Sequence, residues 1–467
     1  MKFEYRDGKP YEVLSEIKSA IKGSAWENHV FLVGGAVRDH LLGQDIKDID
    51  LCVNVSEGGL AFAKWICNEF DCFVPNSNPV VFPTYGTAKF NLRTIHDLSH
   101  IEIECVQTRK EQYHSDSRKP ETVFGTIQED AKRRDLTINA LYVNLSNDEI
   151  IDPTGLGFED MRKEIIRTPS DPNIVFNDDP LRMLRVIRFA TRLGWGIDKD
   201  TWLGIVTNVS RLSIVSQERI TDELTKIMLC HKPSIGLRRL LHSGLLKVVL
   251  PEIHKLIGVT QGIQHFGDVF EHTLSVVDKT QNIANHRWAA LFHDVGKPYT
   301  KALKNGQTTF LNHDNFGFTI TDAVLKRMKF STENIRQITS AVKQHMRFKS
   351  SKNTCPSNKS LRKFIAENEM KDLAIVLDVI HADNTSHATE WCMPKQIPLI
   401  IDKLNELYVK NKEPECKPPI NGKDIMEHFN LKAGPKIGEL MDAAKELCLE
   451  DPYVTKEQCL KHLEMFV

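Results

Sequence analysis

The chain has 467 residues, 41% hydrophobic and 26% charged, enough for two to four domains each with its own core. With 61 basic against 62 acidic residues the net charge is −1, which excludes a globally basic nucleic-acid binder and leaves any such contact to local patches. The ten cysteines form no CxxC pair and no run of about 18 apolar residues occurs, so zinc ribbons and membrane-spanning helices are not expected; reduced thiols and a cytoplasmic location are.

In chain order, the apolar run Val30–Val33 reads as a strand that ends in Gly34 and Gly35, followed by a short helix to Leu42 stopped by Gly43. Residues 48–53 alternate, with Ile49, Leu51 and Val53 on one face and Asp48, Asp50 and Cys52 on the other, which predicts a half-buried strand. Residues 101–106 and 141–145 predict further strands. From Asp178 onward the pattern is helical. The stretch 180–193 places Met183, Val186, Ile187, Ala190 and Leu193 on one face, with Pro180 in the first turn and Asn177 or Asp178 available to cap it. Breaks at Pro233, Pro251 and 349–359, and a linker at 411–419, subdivide the helical part. The expected fold class is α+β: a head of 1–165 with a small sheet and helices, then a helical neck (166–250), a helical body (251–400) and a helical tail (401–467).

Three segments carry chemistry. In Leu32–Asp39 the paired glycines let backbone approach a phosphate, and Arg38 adds charge. Asp48 and Asp50, two apart on a strand, would share a face, as ligands of paired Mg²⁺ ions do. A lone Asp-x-Asp is more often a solvated strand face or turn; the glycine turn just before it reverses that and favours the metal. In Arg133–Ala140, Arg134, Asp135 and Asn139 suit phosphates and ribose, though a basic helix end capped by Asp135 has the same pattern. In Asp178–Arg185, Asp179 and Arg182 lie three apart, an acceptor and a planar donor fork able to read a base edge, or else a plain intrahelical ion pair.

Taken in order and spacing, together with Asp152–Gly157, Asp160 and Ser216–Leu224, these segments resemble the class II tRNA nucleotidyltransferase and bacterial poly(A) polymerase superfamily, closely over about residues 28–250. The resemblance implies a polymerase-β-like head, with Asp48 and Asp50 as catalytic Mg²⁺ ligands and Glu104 at a strand position where relatives carry an acid. It also implies Gly34, Gly35 and Arg38 on the triphosphate, and Arg134, Asp135 and Asn139 on ribose and phosphates. Asp179 and Arg182, with Arg185 nearby, would select CTP and ATP in place of a template. The family usually has Glu where this chain has Asp178. Residues 85–90 (Tyr85 to Phe90) resemble the tRNA enzymes more than the poly(A) polymerases, whose matching strand is basic. A loop over 110–127, with Tyr113 and 117–120, resembles the one that enzymes adding only CC lack. The implied partner is tRNA and the implied reaction complete CCA addition.

Farther along, His272, His293 with Asp294, His313, His345 and Asp383 follow in order. A lone histidine is usually an ordinary core or surface residue, but this series resembles the HD phosphohydrolase superfamily. His272, His293, Asp294 and Asp383 match its basic ligand set, and His313 and His345 match positions of two-metal members. Mixed imidazole and carboxylate ligands suit Mn, Ni, Co, Fe or Zn better than Mg. In the tail, Gly434 and Pro435 open a helix beside Lys432 and Lys436, a place for a tRNA phosphate or an ordinary loop-to-helix junction.

Overall fold

The computed structural model describes residues 1–69, 79–82, 86–92, 101–112, 121–262, 267–349, 354–410 and 417–467. Chain contacts divide it into two compact units, 1–224 with 242–248, and 225–241 with 249–467.

In the first unit, helix α1 (Lys9–Ile21) precedes β1 (Val30–Val33), α2 (Gly35–Leu41), β2 (Ile49–Val53) and α3 (Gly58–Glu69). Strands β3 (Val80–Phe82), β4 (Thr87–Leu92), β5 (Ile101–Gln107), β6 (Arg109–Gln112) and β7 (Glu121–Phe124) come next. They lead into α4 (Ile127–Lys132), β8 (Tyr142–Asn144), β9 (Glu149–Ile151) and α5 (Gly157–Lys163). A seven-stranded mixed sheet runs β3-β4-β5-β2-β1-β8-β9, with β2 and β5 parallel and the other neighbours antiparallel. One face packs on α1 and α3 through Leu14, Ile17, Leu32, Leu51, Val53 and Phe62. The opposite face is also covered, by Phe31, Val33, Cys52, Ala131, Ala140 and Tyr142. The half-buried strand expected at 48–53 is therefore corrected: Cys52 is fully buried with its neighbours, because a second layer covers that side. β2 also begins at Ile49, so Asp48 precedes the strand and is exposed.

The loop expected over 110–127 is in part a ribbon, β6 paired antiparallel with β7; Tyr113 and 117–120 lie outside the described residues, as does Tyr85. Beyond it come β10 (Ile165–Ile166), α6 (Pro172–Asp178), α7 (Leu181–Leu193), β11 (Gly196–Ile197), α8 (Lys199–Asn208) and α9 (Gln217–Met228). α7 buries Met183, Val186, Ile187 and Ala190 as its periodicity predicts, and ends on the left-handed Gly194. Its start differs from expectation. Asn177 and Asp178 finish α6, Pro180 is the N-cap, and Asp179 is extended with its Oδ1 accepting from Leu181 N at 3.2 Å.

After α10 (Pro233–His242), α11 (Leu245–Val249) and α12 (Pro251–His254), the second unit continues with α13 (Val269–Lys279), α14 (Ala284–Phe292) and α15 (Lys297–Thr300). Next are β12 (Ala302–Lys304), β13 (Gln307–Thr309), α16 (His313–Arg327), α17 (Thr332–Gln344), α18 (Asn358–Ala366), α19 (Met370–Thr385) and α20 (Gln396–Leu404). The β12–β13 hairpin corrects the expectation of an all-helical remainder. Asn305 and Gly306 both take positive φ there (52° and 77°), the pair a tight two-residue hairpin turn demands. At the end, α21 (Gly422–Phe429), α22 (Pro435–Glu450) and α23 (Lys456–Leu463) share a small core of Ile425, Leu440, Ala444, Cys459 and Leu463. No helix among the described residues is long and apolar enough to cross a membrane.

Candidate functional site

β1 delivers the chain to Gly34, whose φ of 73° lets it turn at once into α2. Register sets what that turn faces: Asp50 lies opposite Val33 on β1 and beside Glu104 on the parallel β5. A side chain at Gly34 would begin 3.6 Å from Asp50 Oδ2 and 3.7 Å from Arg134 Nη1, so the turn's bare backbone borders both an acid and a base. Burial pushes the Asp50 carboxyl up to about 6, helped by the like charge of Glu104 and opposed by Arg134. Lys89 on β4 bonds Glu102 at 3.0 Å and stands 3.4 Å from Glu104. Among the described residues Asp48, Asp50 and Glu104 do not gather as a compact ligand triple. An ion held here would draw further ligands from outside the protein, as triphosphate oxygens would supply.

Behind the turn runs a buried polar chain. Arg38, 3% exposed, stacks 4.7 Å from the Phe189 ring, bonds Asp39, and donates to Asn139 Oδ1 at 2.5 Å. Asn139 donates to Asp135 at 3.1 Å, and Asp135 takes Arg185 at 2.6 Å. Burial alone would raise Asp135, but Arg185 and the Asn139 hydrogen bond outweigh it and bring the carboxyl down to about 2. Arg134 leans on Asp130 at 3.0 Å and on the Tyr142 hydroxyl at 2.9 Å. Four predicted residues, Arg38, Asn139, Asp135 and Arg185, thus form one bonded chain, while Arg134 is held separately by Asp130 and Tyr142.

The intrahelical ion pair, the alternative to base reading for Asp179 and Arg182, is not formed. Asp179 lies outside the helix, where its Oδ2 takes Arg219 of α9 at 2.6 Å, and Arg182 Nη1 donates to Val175 O at 3.2 Å. Sequence reasoning missed three organisers of this region. Asp130 is fully buried under Arg133 and Arg134, Glu223 is 2% exposed and takes Arg188 at 2.7 Å, and Arg219 holds Asp179. Glu223 and Arg219 lie four apart in the stretch 216–224, whose helical spacing puts both near one face of α9.

In the second unit six residues from five helices and their ends converge: His272 in α13, His293 and Asp294 after α14, His313 opening α16, His345 closing α17, and Asp383 in α19. All are buried, in two triples whose ligating atoms lie within 4.8 Å of one another, His272–His293–Asp383 and Asp294–His313–His345. Asp294 touches both. Its Oδ2 is 3.1 Å from His293 Nε2 and 3.7 Å from His272 Nε2, and its Oδ1 is 3.4 Å from His313 Nε2 and 3.8 Å from His345 Nε2.

The histidines are oriented by their own backbone. Nδ1 of His293, His313 and His345 lies 2.7, 2.7 and 2.6 Å from the carbonyls of Ala290, Phe310 and Val342. A carbonyl only accepts, so each Nδ1 carries the proton and each Nε2 of a neutral ring is a lone pair. Those lone pairs face a carboxylate, and His313 and His345 face each other at 3.1 Å. His293 Nε2 is buried without an aligned partner. Acceptors aimed at acceptors repel unless a proton or a cation lies between them, so the donor set fits a bound metal. Burial, with the neighbouring His313 and His293, takes His345 down to about 3, which keeps it neutral with its Nε2 lone pair able to take a cation. Lys297 meets Asp294 Oδ2 at 2.6 Å, and Lys349 meets Asp383 Oδ2 at 2.7 Å. His387, one helical turn beyond Asp383, was not singled out from the sequence, yet it packs 5.6 Å from the His272 ring.

Comparison with known proteins matches this layout. Residues 30–167 fit the family described as "Poly A polymerase head domain", 194–257 "Probable RNA and SrmB-binding site of polymerase A", and 269–388 "HD domain". The mitochondrial CCA tRNA nucleotidyltransferase of Saccharomyces cerevisiae is 28% identical, over 93% of this chain and 87% of its own. The multifunctional CCA protein of Pseudomonas savastanoi pv. phaseolicola is 30% identical, over 65% of this chain and 71% of its own. The Bacillus stearothermophilus CCA-adding enzyme, solved with CTP, shares the fold with a TM-score of 0.68 at 22% identity, covering 98% of both chains.

Proposed function

The chain belongs to the tRNA nucleotidyltransferase and poly(A) polymerase family, and from that we propose that it adds C, C and A in turn to the 3′ end of tRNA from CTP and ATP, without a nucleic-acid template. The observation that carries the reading is the Gly34 turn, which borders Asp50 and Arg134 while Glu104 stands beside Asp50 on the next strand. Asp48 and Asp50, with Glu104 alongside, hold Mg²⁺, which when bound stabilises charge on the triphosphate and activates the attacking hydroxyl. Backbone at Gly34 and Gly35 and the charge of Arg38 receive the phosphates. Arg134, Asp135 and Asn139 position ribose and phosphate. Asp179 and Arg182, supported by Arg185, read the base edge by hydrogen bonds.

For the second unit we propose a metal-dependent phosphohydrolase that uses Mn, Ni, Co, Fe or Zn and acts on 2′,3′-cyclic phosphates and 2′-nucleotides. Support comes from the buried donor set around Asp294. The four segments, head 1–165, neck 166–250, HD body 251–400 and tail 401–467, divide these tasks. We also assign a reducing compartment, the cytoplasm, in keeping with described cysteines that are not joined in disulfides; the mitochondrial yeast relative makes organellar import the outcome to check by fractionation.

Transcripts of tRNA ending before C, CC and CCA, each supplied with single nucleotides and with all four, test the first reading. Completion to CCA followed by arrest is expected. A long A tail would instead identify a poly(A) polymerase, and arrest after CC, or a requirement for CC, a partial enzyme.

A further inference from the structure

Two carboxylates lie in the buried centre of the second unit, and each already has a cation: Lys297 on Asp294 and Lys349 on Asp383. The two lysines stand differently. Lys349 takes Asp383 Oδ2, whereas the other oxygen, Oδ1, faces His272 Nε2 at 3.1 Å. It backs the ligand without blocking it. Lys297 instead takes Asp294 Oδ2, the same oxygen that lies 3.1 Å from His293 Nε2 and 3.7 Å from His272 Nε2. Its side chain is 8% exposed, so solvent does little to screen it there. Asp294 Oδ1, toward His313 and His345, has no lysine on it among the described residues.

We infer that Lys297 is a built-in cation that occupies the shared carboxylate in the metal-free protein and must leave Oδ2 before the His272–His293–Asp383 cluster can fill, while the His313–His345 cluster loads without this competition. An ammonium at 2.6 Å and a divalent ion compete for one oxygen, since like charges that near repel strongly in a buried site. The lysine has somewhere to go. Gln261 Oε1 is already 2.7 Å from Nζ, and the Phe310 ring lies 5.3 Å beneath it. Swung onto Gln261, Nζ stays beside the metal with donors free for an anionic phosphoryl group. Loading of one cluster thereby turns a carboxylate partner into a phosphate partner. This rests on the centre being metal-binding, and the phosphate step rests on the phosphohydrolase reading.

The test titrates Mn²⁺ calorimetrically into chelator-stripped full-length protein, wild type against Lys297→Met and Lys297→Arg, with inorganic phosphate added afterwards. Wild type should bind two ions in two steps. Lys297→Met should tighten one step by roughly tenfold or more and leave the other alone, and should weaken phosphate binding to the loaded protein. Lys297→Arg, which keeps the charge, should bind Mn²⁺ as wild type does. If Lys297→Met leaves both steps unchanged or weakens them, or if Lys297→Arg tightens binding equally, the competition does not exist. Should Lys297→Met not fold without metal, Lys297→Gln takes its place under the same criteria. Hydrolysis is not read in the titration, so wild type that shows the metal pattern but cleaves no cyclic nucleotide overturns only the phosphohydrolase reading.

Discussion

Asp179 has both oxygens engaged, one on Leu181 N and the other on Arg219, so it can meet a nucleobase only by letting a partner go. Arg182 bonds Val175 O through one nitrogen and has further donors in its fork. Arg182→Ala should therefore cost about 1–3 kcal/mol of discrimination for C and A over G and U, with tRNA affinity little changed. Single-turnover rates with all four triphosphates read this directly, and an equal loss for every base would assign Arg182 to phosphate or to helix support. A second residue sets an acid limit. The His40 ring stacks 4.1 Å from Phe3 and meets the Tyr11 hydroxyl at 2.9 Å, and burial, then Arg6, lowers its pKa to about 4 against the weaker pull of Glu4. Between about 6.5 and 4 the unfolded chain binds a proton here that the folded chain refuses, so stability falls as pH falls through that window. The first unit should lose roughly 2–3 kcal/mol across it. His40→Gln should flatten the loss in chemical denaturation at pH 7 and pH 4.5; equal losses in both proteins would clear His40 of the effect.

At the scale of elements, close approach decides what can be changed. Gly296 has ordinary φ, yet a side chain on it would begin 2.1 Å from His313 O and 2.7 Å from Gly317 N, both backbone atoms of α16. Gly296→Ala must push α16 away and carry His313 with it. A destabilisation of about 3 kcal/mol or more is expected in the second unit, with metal binding lost and nucleotide addition kept. Melting curves with the Mn²⁺ titration check this, and unaltered metal binding would show that α16 can yield. Much of this was legible in the sequence. The strand–Gly34–Gly35–helix unit and the apolar face of α7 follow from runs and spacings that local sterics enforce. The start of α7 was legible only in part, because Pro180 fits the N-cap as well as the first turn, and the side chain that takes the helix's first N–H, Asp179, sits one residue earlier. The second layer over Cys52 was hidden, since it is built by Ala131 and Tyr142, some eighty residues on. For the same reason Asp130 went unnoticed. A buried acid is recognisable only once Arg133, Arg134 and Tyr142 are seen closing over it.

For the molecule as a whole, the two proposed chemistries would use separate residues. Asp48 and Asp50, proposed for nucleotide addition, belong to the first unit, and His293 and Asp294, proposed for hydrolysis, to the second. His293→Ala combined with Asp294→Ala should abolish hydrolysis of a 2′,3′-cyclic nucleotide and leave CCA addition nearly intact, whereas Asp48→Ala should do the reverse. Both assays on both variants, with Mn²⁺, Ni²⁺, Co²⁺ and Mg²⁺ in turn, are decisive; a variant that loses both activities would tie the centres together. The histidine rings bear on how such a protein is supplied. Each of His293, His313 and His345 is aimed by a carbonyl three residues before it, so its direction is settled as soon as its own turn forms. Little freedom is left for an ion to remove on arrival. On the metal-binding reading, the folded chain would present these three donors already aimed before any ion arrives.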